Sequence, residues 1–185
     1  VLAPCEHTCP AGVKAHRYVR EVAQGNFENA YLVVRENMPL PSVCGTVCFH
    51  PCEARCRRGQ LDEAIAIRAL KDSAVRDGKQ AEKSTGKPAP PTGKKVAVVG
   101  SGPAGLACAD ELNKHGPSVT VFEREDLIGG LLMYGIPNMK LEKSIVQRRI
   151  DLLAAEGIEF RTNVSIGHDI STDELKQDFD AIVLC

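Results

Sequence analysis

The chain of 185 residues carries 23 basic and 24 acidic side chains, which gives a formal net charge of −1. That balance excludes nucleic acid and an anionic membrane surface as the main partner, because both select a basic excess. A hydrophobic content of 43% with 25% charged residues is typical of a globular protein. We predict a cytoplasmic protein with reduced cysteines, because no run of the sequence spans a bilayer and no signal peptide begins the chain.

Composition changes near residue 88, and we place a domain boundary there. Residues 1–87 contain six of the eight cysteines, whereas residues 88–185 contain a glycine-rich turn. From residue 79 the sequence has no large apolar side chain and includes three prolines as far as residue 93, which predicts an extended linker.

The sequence predicts that the first domain is helical. Apolar residues recur at helical spacing over residues 15–22 and again over residues 27–34, where Asn26 is a candidate N-cap. A third helix is predicted over Ile67 to Asp77, closed by Gly78. The cysteines are expected outside these helices, in turns rich in proline and glycine.

The second domain alternates strands with helices. Strands are predicted over residues 95–99, 119–122, 158–161 and 181–184, and helices over residues 103–115 and 141–156. This alternation predicts a parallel sheet with right-handed crossovers.

A glycine-rich turn, Gly100-Ser-Gly102-Pro103-Ala-Gly105, directly follows the first of these strands. Gly100 permits a tight turn, Gly102 lets the backbone approach a pyrophosphate, and Gly105 lets the helix pack closely on the strand. Pro103 suits the first helical turn, where its missing N–H group costs nothing. Strand, turn and helix together predict a dinucleotide site.

An acidic residue at the end of the next strand completes this pattern. Glu123 lies where an adenosine ribose hydroxyl would be bound, and it would repel a 2′-phosphate, although Arg124 beside it could attract one. We therefore favour a ribose without that phosphate. The chain has only one such fingerprint, whereas hydride transfer from a nicotinamide to a flavin normally needs two dinucleotide sites.

Six cysteines in the first domain predict a metal site. Thiolates packed together without a metal or a disulfide would repel one another or oxidise, and zinc and iron–sulfur clusters both accept four thiolates. Spacing alone leaves the metal and the role of Cys44 open. Cys108 is expected to pack in a helix, and His7 and His50 are expected to be structural.

These motifs together resemble a known family. The runs Cys-x3-Cys-Pro-Ala-Gly, Cys-Gly-Thr-Val-Cys, Cys-Glu-Ala-Arg-Cys, Val-Ala-Val-Val-Gly-Ser-Gly-Pro-Ala-Gly-Leu-Ala and Ile-Gly-Gly-Leu-Leu-Met-Tyr-Gly-Ile-Pro look like the small (beta) subunit of NADPH-dependent glutamate synthase. The module is also similar to the amino-terminal part of dihydropyrimidine dehydrogenase and to the large subunit of NADH-dependent ferredoxin:NADP oxidoreductase. The resemblance covers roughly residues 5–185.

The resemblance implies an α + α/β protein, with a helical 4Fe-4S domain before a partial Rossmann-like FAD domain that has a parallel sheet. Cys9, Cys48 and Cys52 resemble ligands of one cluster, and Cys5 and Cys56 resemble half the ligands of another. The implied FAD-binding residues are Gly100, Gly102, Pro103, Ala104, Gly105, Glu123, Arg124, Gly129, Gly130, Leu131, Lys140 and Val164. Lys71 departs from the family, because some relatives place a carboxylate or amide ligand near this position and an ammonium group cannot ligate iron.

The implied function is electron transfer between FAD and 4Fe-4S clusters within an NAD(P)H-dependent oxidoreductase. The nicotinamide would bind a region that this chain does not contain, and a partner redox subunit or domain would receive the electrons. The cofactors would carry the chemistry, so no side chain is named as a catalytic residue. The alternatives are a zinc-stapled nucleotide-binding module without redox activity and a simple NAD-dependent dehydrogenase.

Overall fold

The computed structural model describes residues 3–78 and 89–185. The chain divides into two compact units, residues 1–85 and residues 86–185. Most of the linker predicted from residue 79 lies outside the described residues. Within the described ranges, none of the helices combines the length and the apolar character that a bilayer crossing requires.

The first unit is helical. Its helices are α1 (Pro4–Thr8), α2 (Ala15–Ala23), α3 (Phe27–Arg35), α4 (Pro41–Val47), α5 (Pro51–Ala54), a 3-10 turn (Arg57–Gln60) and α6 (Ile67–Asp77). The three predicted helices are therefore confirmed. Asn26 precedes α3 as predicted, but its side chain makes no capping hydrogen bond to that helix.

The core of the first unit lies between α2, α3 and α6. Tyr18, Ala30, Val34 and Ala74 are buried there, at the apolar positions that helical spacing predicts. The Tyr18 hydroxyl donates a hydrogen bond to the Ile67 carbonyl oxygen over 3.1 Å, so the phenol ties α2 to the start of α6.

Three cysteines lie in short helices, and the prediction that they occupy turns was wrong for these. Cys5 is in α1, Cys44 is in α4 and Cys52 is in α5. Each of these helices begins at a proline. Proline favours the first turn of a helix, because its φ is fixed near the helical value and it lacks an N–H group that this turn would leave unbonded. These helices are too short for the spacing of apolar residues to reveal them.

The second unit is an α/β fold around a parallel sheet. The strands are β1 (Lys95–Val99), β2 (Ser118–Phe122), β3 (Glu159–Arg161) and β4 (Ala181–Leu184), and the helices are α7 (Pro103–Lys114), α8 (Leu131–Tyr134), α9 (Lys143–Ala155) and α10 (Thr172–Asp178). The sheet order is β3-β2-β1-β4, and every pairing is parallel, as predicted.

Parallel order brings the carboxyl ends of the strands to one edge, and this positions the site. The glycine-rich turn follows β1, and Glu123 follows β2, its central neighbour. Behind the sheet, the buried Arg149 guanidinium of α9 donates to Asp110 Oδ1 of α7 over 3.0 Å. This ion pair joins the two long helices of the second unit.

Candidate functional site

The thiols of the first unit are grouped around one buried phenol. Burial raises the pKa of Tyr18, and the neighbouring thiols of Cys52, Cys9, Cys5 and Cys48 raise it further. Four cysteines that lie far apart in sequence are thus within electrostatic range of a single side chain. The set includes all three residues that the resemblance assigns to one cluster, and Cys5 from the other.

Cys44 lies within the same group, although the spacing of the cysteines in the sequence left its role open. Burial raises the pKa of the Cys44 thiol, the Lys71 ammonium group opposes that rise, and Cys48 and Cys9 add to it. Burial likewise raises the pKa of Cys52, together with Cys48 and Cys9. Cys44 and Cys52 are therefore both within electrostatic range of Cys9 and Cys48, and the Lys71 ammonium group is the cation that acts on Cys44 and Cys52.

The backbone turns sharply between Cys48 and Cys52. His50 has a φ of 47°, in the left-handed region that non-glycine residues seldom adopt. Its backbone N–H group donates to the Cys48 sulfur over 3.3 Å. The His50 imidazole lies 3.2 Å from a Glu53 carboxylate oxygen, which accords with the structural role predicted for this histidine.

Cys56 lines an open cavity of about 1390 Å³. His7, Glu53, Arg55 and Arg57 line the same cavity. The two arginines provide the positive charge that thiolates bound to a metal cluster would require nearby. Cys5 belongs to α1 and Cys56 follows α5, and these two helices are in contact.

The donor chemistry of these thiols fits an iron–sulfur cluster. All eight cysteines lie in the described ranges, and none forms a disulfide. Across residues 3–78 and 89–185, no three His, Cys, Asp or Glu side chains are arranged to hold a single metal ion. Thiolates are the protein ligands that 4Fe-4S clusters take, and the six cysteines of this unit are enough to supply most of two such sets.

In the second unit a crevice of about 790 Å³ opens at the carboxyl edge of the sheet. It brings together seven of the predicted cofactor-binding residues: Gly100, Gly102, Glu123, Arg124, Gly130, Leu131 and Val164. Pro103, Ala104 and Gly105 form the first turn of α7 behind the glycine-rich turn, and Gly129 is buried beneath Gly130. The glycine-rich turn and the strand-end acid are thus at one site.

Ser101 joins the walls of this crevice, and sequence reasoning missed it. Its backbone N–H and its hydroxyl both donate to Glu123 Oε2, over 3.0 and 2.5 Å. The same hydroxyl accepts a hydrogen bond from the Gly129 backbone N–H over 3.0 Å. Ser101 is fully buried. The Ser101 side chain therefore links the turn after β1 to Glu123 after β2 and to Gly129.

Glu123 is held as a carboxylate by these contacts. Burial opposes its ionisation, but hydrogen bonds from the Ser101 hydroxyl and from the backbone of Glu125, Ser101 and Arg124 outweigh burial and lower its pKa. A negative Glu123 at neutral pH suits a ribose hydroxyl and repels a phosphate. Arg124, which could have attracted that phosphate, is exposed and lies 3.2 Å from a Glu125 oxygen.

We expect Glu123→Gln to destabilise the second unit by about 1–3 kcal/mol at pH 7, because a buried donor loses its charged acceptor. A lowered folded pKa means that the carboxylate stabilises the fold above the unfolded value of about 4.3, and that this contribution is lost as pH falls through the folded pKa. The difference between wild type and variant should therefore shrink in acid. Urea unfolding of the full-length protein across pH measures it.

Glu142→Gln is the matched control, because Glu142 is exposed and, among the described residues, its carboxylate accepts one long hydrogen bond, 3.5 Å, from the Ser144 hydroxyl. It should change the unfolding midpoint little at any pH. An equal loss of stability in the two variants, or a loss at Glu123 that does not vary with pH, would contradict the assigned role of the carboxylate.

The lysine predicted near the flavin is outside the crevice. Lys140 is exposed and is not among the residues that line it. Lys143, which was not predicted, donates from its ammonium group to the Leu132 carbonyl oxygen over 2.8 Å and also to the Ile136 carbonyl. Lys143 thus ties the start of α9 to α8 and to the residues that follow α8. This contact depends on tertiary packing, so no local signal in the sequence indicated it.

The protein-family matches follow the same division of the chain into two units. Residues 2–83 match the family described as dihydropyrimidine dehydrogenase domain II, 4Fe-4S cluster. Residues 98–138 match the NAD(P)-binding Rossmann-like domain. The first match decides between the two metals that spacing left open, in favour of iron–sulfur, and nothing found in the chain favours the zinc alternative.

Several curated proteins are similar over most of the chain. It is 52% identical to the glutamate synthase [NADPH] small chain of Bacillus subtilis over 89% of its length and 34% of that protein. It is 53% identical to the glutamate synthase [NADH] of Saccharomyces cerevisiae over 80% of its length and 7% of that protein. It is 42% identical to the NADPH-Fe(3+) oxidoreductase subunit beta of Geobacter sulfurreducens over 98% of its length and 28% of that protein.

Fold and family matches together define a 4Fe-4S cluster domain followed by a Rossmann-like nucleotide-binding domain. More narrowly, the chain is similar to the glutamate synthase small chains and to subunits of related NADPH-dependent oxidoreductases, so the predicted resemblance is confirmed. The chain spans about a third or less of the length of these relatives.

Proposed function

We propose that this chain is the electron-transfer segment of an NAD(P)H-dependent iron–sulfur flavoprotein. Its first unit would hold 4Fe-4S clusters and its second unit would hold FAD. One observation carries the proposal: a single chain combines a group of unpaired thiols with a dinucleotide crevice whose acid is already ionised. When bound, the flavin would exchange electron pairs with a nicotinamide and single electrons with the clusters.

The proposed cluster ligands are those that the resemblance implies, and the arrangement of the thiols supports them. Cys9, Cys48 and Cys52 share the surroundings of Tyr18 and would hold the first cluster. Cys5 and Cys56 would contribute to the second, beside the cavity lined by Arg55 and Arg57. The protein would hold these thiolates near compensating cations and would keep bulk water from most of them, since all six are partly buried.

FAD is proposed for the crevice because a second glycine segment, Gly129-Gly130, lies against the glycine-rich turn. A Cβ atom at Gly130 would lie 2.9 Å from the Gly102 Cα, so the two glycine segments approach each other backbone to backbone. This close approach would let the pyrophosphate contact main-chain N–H groups of both segments. Glu123 would accept from the adenosine ribose, and Val164 would border the adenine.

A second candidate, NAD(P) in this same crevice, is favoured by the description of the family that matches residues 98–138. The ionised Glu123 disfavours the 2′-phosphate of NADP(H) there. Under the main proposal the nicotinamide binds elsewhere in the full-length protein, and a partner redox subunit or domain takes the electrons onward.

Metal and flavin analysis of the full-length protein, purified without oxygen, tests the proposal. We expect one FAD and about eight iron atoms with equal sulfide per chain, since each 4Fe-4S cluster contains four irons. A colourless protein that contains zinc and no flavin would overturn it. Iron without flavin, together with NAD(H) bound at the crevice, would select the second candidate.

A further inference from the structure

Lys71 occupies an unusual place for a lysine, in the middle of the buried face of α6. That face consists of Ile67, Lys71, Ala74 and Val75. Helical spacing predicts apolar residues at all four positions, and the other three comply. Lys71 is only 5% exposed. A lysine is seldom this deeply buried unless an anion accompanies it.

Among the described residues, no carboxylate forms a hydrogen bond or ion pair with Lys71. The thiols of Cys44 and Cys52 are within electrostatic range of its ammonium group. An isolated ammonium group is strongly disfavoured in an apolar interior. The neighbouring thiols, once ionised, would supply the negative charge that stabilises a buried ammonium group.

The packing of α6 places Lys71 near those thiols. The Arg68 backbone N–H, one turn earlier, donates to Glu53 Oε1 of α5 over 2.8 Å. On the other flank, a Cβ atom at Gly45 of α4 would lie 3.2 Å from Asp72 Oδ1. Helix α6 therefore contacts both α4 and α5, the helices that carry Cys44 and Cys52, and Lys71 belongs to the buried residues of α6.

We propose that Lys71 is the resident counter-charge of the cluster held by Cys9, Cys48 and Cys52, and that it raises the reduction potential of that cluster. The inference rests on the proposed function. A one-electron reduction adds a negative charge to the thiolate-ligated site, and a fixed cation in a low-dielectric interior stabilises that charge more than it does in water. Lys71 would act through charge alone, without ligating iron.

The test compares Lys71→Met with Arg76→Met in the full-length protein, purified and titrated without oxygen. Methionine fills a similar volume without charge, and Arg76 provides a matched loss of charge on the exposed side of the same helix, where its side chain is 63% exposed. We expect Lys71→Met to disfavour reduction of one cluster about tenfold, which is about 59 mV toward more negative potential for one electron. Arg76→Met should leave both clusters near their wild-type potentials.

Lys71→Arg separates charge from packing. It should retain the wild-type potential, and it should retain iron even if Lys71→Met loses it. An unshifted reduction potential in iron-loaded Lys71→Met would overturn the proposal that Lys71 is the counter-charge. Equal loss of iron from Lys71→Met and Lys71→Arg would overturn it as well. A wild-type protein that binds no iron would instead overturn the proposed function itself, so the two failures are distinguishable.

Discussion

We expect the Cys52→Ser variant of the full-length protein to lose about four iron atoms per chain, the content of one 4Fe-4S cluster. A serine hydroxyl is a harder and far less acidic ligand than a thiol, so it does not replace a thiolate on iron. Iron and sulfide analysis of anaerobically purified protein measures the loss. The second cluster, assigned to Cys5 and Cys56, should remain.

Double variants test the grouping of the cysteines. Adding Cys48→Ser to Cys52→Ser should remove no further iron, because both residues are assigned to one cluster. Adding Cys56→Ser instead should remove most of the rest. Cys108→Ser is the matched control, since Cys108 lies in α7 of the second unit and should not affect iron content. Unchanged iron in Cys52→Ser would refute the ligand set.

The second large effect is expected at Gly102. A Cβ atom added there has no protein atom within 4 Å, and the residue has a φ of −62°, which alanine readily adopts. The Gly102→Ala variant should therefore fold as the wild type does. Its methyl group would occupy the space where a pyrophosphate approaches the turn, and we expect flavin affinity to fall on the order of 10- to 100-fold.

Gly105→Ala is the informative contrast. A methyl group there would overlap the Gly100 carbonyl oxygen, so α7 would have to move away from β1. We expect this variant to lower the free energy of unfolding, whether or not flavin is present. Flavin titration and urea unfolding of both variants distinguish the two glycines. Equal stability loss at Gly102 and Gly105 would show that Gly102 has a structural role instead.

Local sequence signals predicted the framework well. Helical spacing of apolar residues gave α2, α3 and α6, and the alternation of strands with helices gave the parallel sheet, because both patterns follow from the backbone period of each element. The short α1, α4, α5, α8 and α10 were missed. A helix of four to seven residues has too few turns to show a period, and the prolines that begin α1, α4 and α5 are equally typical of a turn.

The sequence also predicted the nucleotide crevice, but it did not predict the hydrogen bonds within that crevice. Glycine spacing and the strand-end acid indicated Gly100, Gly102 and Glu123. Ser101 lies between two of those residues, but the only available signal was a hydroxyl inside the turn. Whether that hydroxyl meets Glu123 depends on β1 and β2 lying side by side, which is a tertiary relation.

The amino-acid sequence alone determined the order of the elements, the thiol-rich first unit and the phosphate-binding turn, because each depends on residues near one another in the chain. Tertiary structure alone decided that Cys44 lies near Cys9 and Cys48, that Lys71 is buried near Cys44 and Cys52, and that Lys143 binds the carbonyl groups of Leu132 and Ile136. Those outcomes depend on how separate helices and strands pack, and packing sets the distances and the dielectric surroundings in which charges interact.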